Sequence, residues 1–445
     1  MKLIYDINDR PKAGQVIVFA FQQLLAILAA TIAVPSIVGN GMSQSAALFG
    51  AGIGTIVYLL FTKFKSPVFL GSSFAFLGSM FAAFAGAVSI EAGYAGLIIG
   101  AVFAGLVYVL IALIVKAAGV EWVNKLMPAV VIGPTVAIIG LSLAGNAVSD
   151  AIGAANLDNG AYVMNPNSAV NLVCAIITML TVMICSVFGK KMTRLIPFII
   201  GIGVGYAVAA IITVIGINTG NPDLQIINFS LFANMKWVPD FTFIAAAKGF
   251  SAITPQYIAT IAVAYIPVAF VVFAEHIADH KNLSSIVEKD LLKEPGLHRT
   301  LLGDGVGSMA GAFFGGCPNT TYGESVGCVA ITGNASVITI VVTAIIAIVI
   351  SFVGPFVTFL ATIPGCVMGG VCITLYGFIA VSGLKMLQDV DLGDNRNLFV
   401  VSAILIAGIG GMTLKFGSVT LTEIATALIL GIVVNLILGR KKKQG

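Results

Sequence analysis

Ser66-Pro67-Val68-Phe69-Leu70-Gly71-Ser72-Ser73-Phe74 and Cys317-Pro318-Asn319-Thr320-Thr321-Tyr322-Gly323-Glu324 are the two stretches on which the fold turns. Each interrupts an apolar run with Pro, Gly and Ser or Thr, residues that break helices. They fall at matching places in two halves of the chain. A second echo sets that register: Met127-Pro128-Ala129-Val130-Val131-Ile132-Gly133 resembles Ile363-Pro364-Gly365-Cys366-Val367-Met368-Gly369, 236 residues further on. A helix broken inside a bilayer frees N–H and C=O groups that lipid cannot bond. The break must then face protein or a wet cavity. Interrupted segments at corresponding positions of two halves point to a transporter's binding site. Close helix packing alone would also use Gly and Ser, but two matched breaks, one carrying Glu324, favour a site.

The rest of the chain supplies the bilayer. Its 445 residues are 58% hydrophobic and only 9% charged, with mean hydropathy +1.05. Soluble domains carry about 25% charged residues, so lipid must surround most of this one. The alternation of a membrane β-barrel is missing, which leaves helices. The apolar stretches are 14–34, 44–62, 67–84, 93–115, 127–146, 168–189, 195–216, 257–279, 301–316, 318–332, 335–359, 363–384, 397–414 and 420–439. This predicts an all-α polytopic membrane protein of fourteen segments.

Charge tests the count through the positive-inside rule. With fourteen crossings and a cytoplasmic N-terminus, all but Lys236, Lys248 and Lys415 of the 23 basic residues fall inside. The inside clusters include Lys2, Arg10 and Lys12; Lys63 and Lys65; Lys116 and Lys125; Lys190, Lys191 and Arg194; and Arg440 with Lys441, Lys442 and Lys443. Both termini are expected in the cytoplasm. Seven segments per half is odd, so the repeats are expected to be inverted. The polar N-terminus carries no cleavable signal pattern, and the first apolar run would direct insertion.

Several functions are disfavoured. Cys174, Cys185, Cys317, Cys328, Cys366 and Cys372 lie in apolar or Gly-rich segments and read as packing residues, with no metal or disulfide spacing. There is no phosphate-binding Gly-x-x-x-x-Gly-Lys motif and no cofactor motif. The net charge of +4 comes from loop residues and implies no nucleic acid. No enzyme is expected.

Buried acids carry the chemistry, because a charge in the bilayer is costly and marks ion or substrate pathways. Glu275 follows the apolar run Tyr265–Ala274, and Asp279 lies one turn later on the same face. His276 and His280 also fall in that turn, offset from that face. Such a cluster suits proton exchange, although Lys281 allows a solvated helix end instead. Glu324 sits inside the second break. Asp304 and Glu423 read as interfacial or structural.

Pro318–Gly333, Phe69-Leu70-Gly71-Ser72-Ser73-Phe74-Ala75-Phe76, Ala274-Glu275-His276-Ile277, Pro295-Gly296-Leu297-His298-Arg299 and Asp394-Asn395-Arg396-Asn397 together resemble the nucleobase–ascorbate transporter family, in its bacterial uracil-carrying branch, over the whole chain. The resemblance implies two inverted repeats of seven segments, with segments 3 and 10 each holding a short mid-membrane β-strand. It implies a core domain (1–125 and 251–361), a gate domain (126–250 and 362–445), and a homodimer through the gates. By position, Glu275, Glu324, Ser73, Phe74, Tyr322 and Gly323 would bind the base, and Glu275, Asp279 and His280 would couple protons. The implied activity is proton symport of uracil in the bacterial inner membrane, without a cofactor. Three departures stand out: Ser325 replaces the signature's Asn, Asp279 stands where a His is common, and Gln22-Gln23 replaces a Gln-His pair. Xanthine, urate or another base on the same fold is an alternative. An anion carrier on a related seven-plus-seven fold is another, though no Lys or Arg falls at mid-segment.

Overall fold

The computed structural model describes residues 3–119, 122, 128–153, 156–159, 161–190, 192–416 and 419–439. Lys2, Lys125, Met127, Lys191 and the Arg440 to Lys443 cluster lie outside the described residues, as does the 125/126 domain boundary.

Helices dominate. In chain order those of eight residues or more are α1 (Ala13–Val38), α2 (Gln44–Phe61), α3 (Leu77–Ala85), α4 (Ile90–Ala118), α5 (Ala129–Ser142), α6 (Ala144–Ile152), α7 (Pro166–Phe188), α8 (Pro197–Thr219), α9 (Thr242–Gly249), α10 (Pro255–Val287), α11 (Leu297–Gly315), α12 (Gly323–Thr332), α13 (Val337–Ile350), α14 (Gly354–Thr362), α15 (Gly365–Lys385), α16 (Asn395–Ile409) and α17 (Glu423–Leu438). Eight of the described helices are long and apolar enough to cross a membrane. A ninth span results if α13 and α14, bent by 82° at their junction, are taken together. The chain is a multi-pass helical membrane protein.

Both breaks in the sequence become strands. β1 (Leu70–Ser72) precedes a 3-10 turn and α3, and a second strand, Asn319–Thr321, precedes α12. The two pair antiparallel, with Leu70 opposite Thr321, Gly71 opposite Thr320 and Ser72 opposite Asn319. Hydrogen bonds extend the pairing at both ends, from Ser73 N–H to Pro318 O at 2.9 Å and from Tyr322 N–H to Phe69 O at 3.3 Å. The neighbouring helix satisfies what a two-stranded ribbon leaves open. Thr55 Oγ1 of α2 accepts from Leu70 N–H at 2.9 Å.

Small residues let the surrounding helices approach this ribbon. A Cβ at Gly50 would sit 2.4 Å from Gly311 O, so α2 and α11 touch backbone to backbone there.

α10 positions the acids. Thr254 caps its start, accepting from Tyr257 N–H at 3.2 Å, with Pro255 in the first turn. It runs 33 residues to Val287, well past Lys281. Glu275 and Asp279 therefore lie within a continuous helix rather than at its end.

Candidate functional site

β1 and Asn319–Thr321 each run directly into a helix start, where the first N–H groups have no intrahelical partner. Ser73, Phe74 and Ala75 stand at one start; Tyr322, Gly323 and Glu324 stand at the other. Facing both is the Glu275–Asp279 face of α10. Together they line a cavity of about 220 Å³, whose far wall is Val136 and Ile139 of α5 with Leu375, Phe378, Ile379 and Ser382 of α15 and Met386 just past its end. The cavity is smaller than the roughly 300–1,000 Å³ of drug-sized sites, so it suits a small ring.

Each polar group has a definable role. Asp279 Oδ2 accepts from Thr321 Oγ1 at 2.9 Å, which fixes it against the strand. Glu275 and Glu324 line the same cavity. Ser73 is buried, and its Oγ has no hydrogen-bond partner among the described protein groups. A cargo carbonyl or N–H could supply one. The Tyr322 hydroxyl donates to Ser72 O at 2.7 Å, and its ring covers Gly71. Tyr322 thus braces the ribbon. Phe74, half-buried and edge-on to Tyr376 with ring centroids 6.3 Å apart, is the ring placed to stack on a cargo.

The structure brings Glu275, Asp279, Glu324, Ser73, Phe74, Tyr322 and Gly323 to one cavity. His280 is not among the lining residues. It lies on another face of α10, with Nε2 at 2.7 Å from the Tyr58 hydroxyl and Nδ1 at 2.8 Å from His276 O.

Other contacts escaped the sequence reading. Asp304, read as interfacial or structural, is wholly buried and structural, with Oδ2 at 2.7 Å from His276 Nδ1. Thr320 Oγ1, in the cavity wall, donates to the same oxygen at 3.3 Å. Ser325, the departure from the family signature, accepts from Gln23 Nε2 and from Phe69 N–H. It therefore ties α1 and the first break to α12. Only the unusual polarity of Gln23 and Asp304 within apolar helices signalled these contacts. Phe378, Ser382 and Met386 carried no signal, since an apolar helix face reads the same against lipid or cavity.

Two broken helices meeting an acid-bearing helix around a small cavity define a membrane carrier for a small polar solute. Comparison with known proteins agrees. Residues 14–416 match the model described as the permease family, and the chain belongs to this family, the nucleobase–ascorbate transporters. It is 42% identical over 442 residues to the uracil permease of Bacillus caldolyticus, covering 98% of this chain and 95% of that one. It is 39% identical to the uracil permease of Bacillus subtilis, covering 100% and 97%. It is 36% identical to that of Escherichia coli K12, covering 97% and 93%. Among solved structures, the transmembrane domain of the cyanobacterial bicarbonate transporter BicA superposes with TM-score 0.65 at 18% identity, covering 97% of this chain and 99% of that one. Murine Slc26a9, an anion transporter in its inward-facing state, superposes with TM-score 0.67 at 11% identity, covering 97% and 69%. These two likenesses bear on the fold alone.

Proposed function

We propose that this chain imports uracil together with protons across the bacterial inner membrane. The observation that carries the reading is the small cavity lined by Glu275, Asp279 and Glu324, with no Lys or Arg among the described residues of its wall. Such a wall suits a neutral cargo rich in N–H groups and disfavours an anion. Uracil presents two N–H donors and two carbonyls. Carboxyl groups of Glu275 and Glu324 accept from the ring N–H groups. Backbone N–H groups at the helix starts and the Ser73 hydroxyl meet the carbonyls, and Phe74 stacks on the ring. The similarity to uracil permeases over nearly the full chain supports this cargo over xanthine or urate.

Protonation of Glu275 from outside favours loading, and its release of the proton inside favours unloading, with Asp279 sharing the proton. No other cofactor is needed. The chain crosses fourteen times as two inverted repeats, with both termini in the cytoplasm and the paired strands at mid-membrane. The cavity wall supports a division into a core (1–125 and 251–361) and a gate (126–250 and 362–445), since α10 and the strands face α5 and α15 across it. Two copies associate through their gates.

Radiolabelled uracil uptake into proteoliposomes under an imposed pH gradient tests the reading. Inward-acid-free vesicles in acidic buffer should accumulate uracil, and a protonophore should abolish accumulation. Glu275→Gln should lose the gradient-driven part. Uptake indifferent to the gradient, or unaffected by Glu275→Gln, would remove the coupling role. Xanthine or urate competing as well as uracil would move the cargo to purines.

A further inference from the structure

α12 is only ten residues long. A helix this short has marginal stability of its own, so the contacts at its ends decide where it sits. Its first turn carries Glu324 and is tied through Ser325 to Gln23 and Phe69. Its other end is tied to the N-terminal segment. Gly333, the left-handed cap of α12 at φ +65°, offers its carbonyl to Ile4 N–H at 2.7 Å and Tyr5 N–H at 3.2 Å. The segment then runs alongside the link that leaves α12. Ala335 N–H donates to Tyr5 O at 2.9 Å, Val337 N–H to Ile7 O at 3.1 Å, and Ser336 Oγ to Asp9 O at 2.7 Å.

The same segment reaches α10. Asp6 forms an ion pair with Lys289, two residues beyond the last residue of α10. Ile7 is buried in an apolar cluster that includes Leu283 and Val287 of α10 and Val326 and Val329 of α12. Tyr5 also donates to Gln15 Oε1 of α1 at 2.9 Å.

We infer that residues Ile4 to Asp9 form a strap that ties the far ends of the two helices carrying the cavity acids, and so sets the spacing of Glu275 and Glu324. None of these strap residues lines the cavity, so they are positioning residues. The role in transport rests on the carrier function proposed above; the role in spacing does not.

The test separates the two. Nitroxide labels at Lys281 of α10 and Ile331 of α12, in a background with the six native cysteines replaced by Ala, report the helix spacing without any cargo. Asp6→Lys should shift or broaden the distance distribution, and the double exchange Asp6→Lys with Lys289→Asp should restore it. Ala335→Pro removes the N–H that bonds Tyr5 O and should act like Asp6→Lys. In uptake assays the KM for uracil should rise about fivefold in Asp6→Lys, the scale of an exposed ion pair, with kcat nearly unchanged and recovery in the exchange. Unchanged distances in both Asp6→Lys and Ala335→Pro, or no recovery in the exchange, would overturn the strap. Wild-type protein that takes up no uracil would instead overturn the cargo, leaving the distances to judge the strap.

Discussion

His276 Nδ1 lies 2.7 Å from Asp304 Oδ2, and neither side chain has any exposed surface. Thr300 holds the other ring nitrogen at 3.0 Å. The pair joins α10 to α11 directly behind the cavity, and Thr320 carries the contact into the cavity wall. Removing one partner from a buried pair strands the other. His276→Ala is expected to cost about 3–5 kcal/mol of stability, seen as a large drop in melting temperature in detergent. Asp304→Asn, which keeps a hydrogen-bonding group, should lose much less. Equal losses for the two changes would show that the contact itself matters little.

Glu324 stands at the first turn of α12 facing Glu275 across the cavity. In its proposed role as acceptor for a ring N–H it would make a charge-assisted bond. Glu324→Gln keeps the size and changes the chemistry. The uracil KM should rise about 10- to 100-fold, equivalent to roughly 1.5–3 kcal/mol. Equilibrium binding measured by calorimetry on purified protein checks this without transport. A dissociation constant within twofold of wild type would remove Glu324 from the cargo's contacts.

Gly71 has no room for a side chain. A Cβ there would lie 2.2 Å from the Tyr322 ring, which is itself held by its hydrogen bond to Ser72 O. Gly71→Ala must push that ring or open the ribbon, at a cost of about 1–3 kcal/mol. The expected result is protein that inserts but binds uracil poorly, because Tyr322 leads directly into Gly323 and Glu324. Normal binding by Gly71→Ala would mean the ribbon can give way without moving the site.

Much of this site was legible because its signals are local. Pro67, Gly71, Pro318 and Gly323 mark the breaks by backbone rules alone, and Glu275 and Glu324 stand out as acids in apolar surroundings. What was not legible depends on tertiary contact. Lys281 looked like the end of a membrane segment, yet α10 continues through Val287 because Leu283 and Val287 find an apolar cluster beyond it. Asp304 read as interfacial or structural, and its structural role was not specific because its partner His276 lies 28 residues away in sequence. His280 shares the turn of Glu275 but not its face, since five residues at 100° each place it about 140° around the helix; what it bonds there, Tyr58 and His276, is not legible from sequence.

Asp6 gives a pH dependence whose sign can be worked out. Its hydrogen bond to Lys289 holds its carboxyl below the ordinary value of 3.8. A depressed carboxyl contributes stability at pH values above its unfolded value, and loses it as pH falls through the lower folded value. Both partners are nearly half exposed, so the contribution is screened to about 0–1 kcal/mol. Asp6→Asn should therefore melt slightly below wild type, by a constant margin from pH 5 to pH 8 or so, and the margin should close under acid. Raising salt should close it as well, since exposed pairs are screened. A margin that widened as pH fell would have the wrong sign for this ion pair, and Asp6 would then hold the N-terminal segment by some other contact.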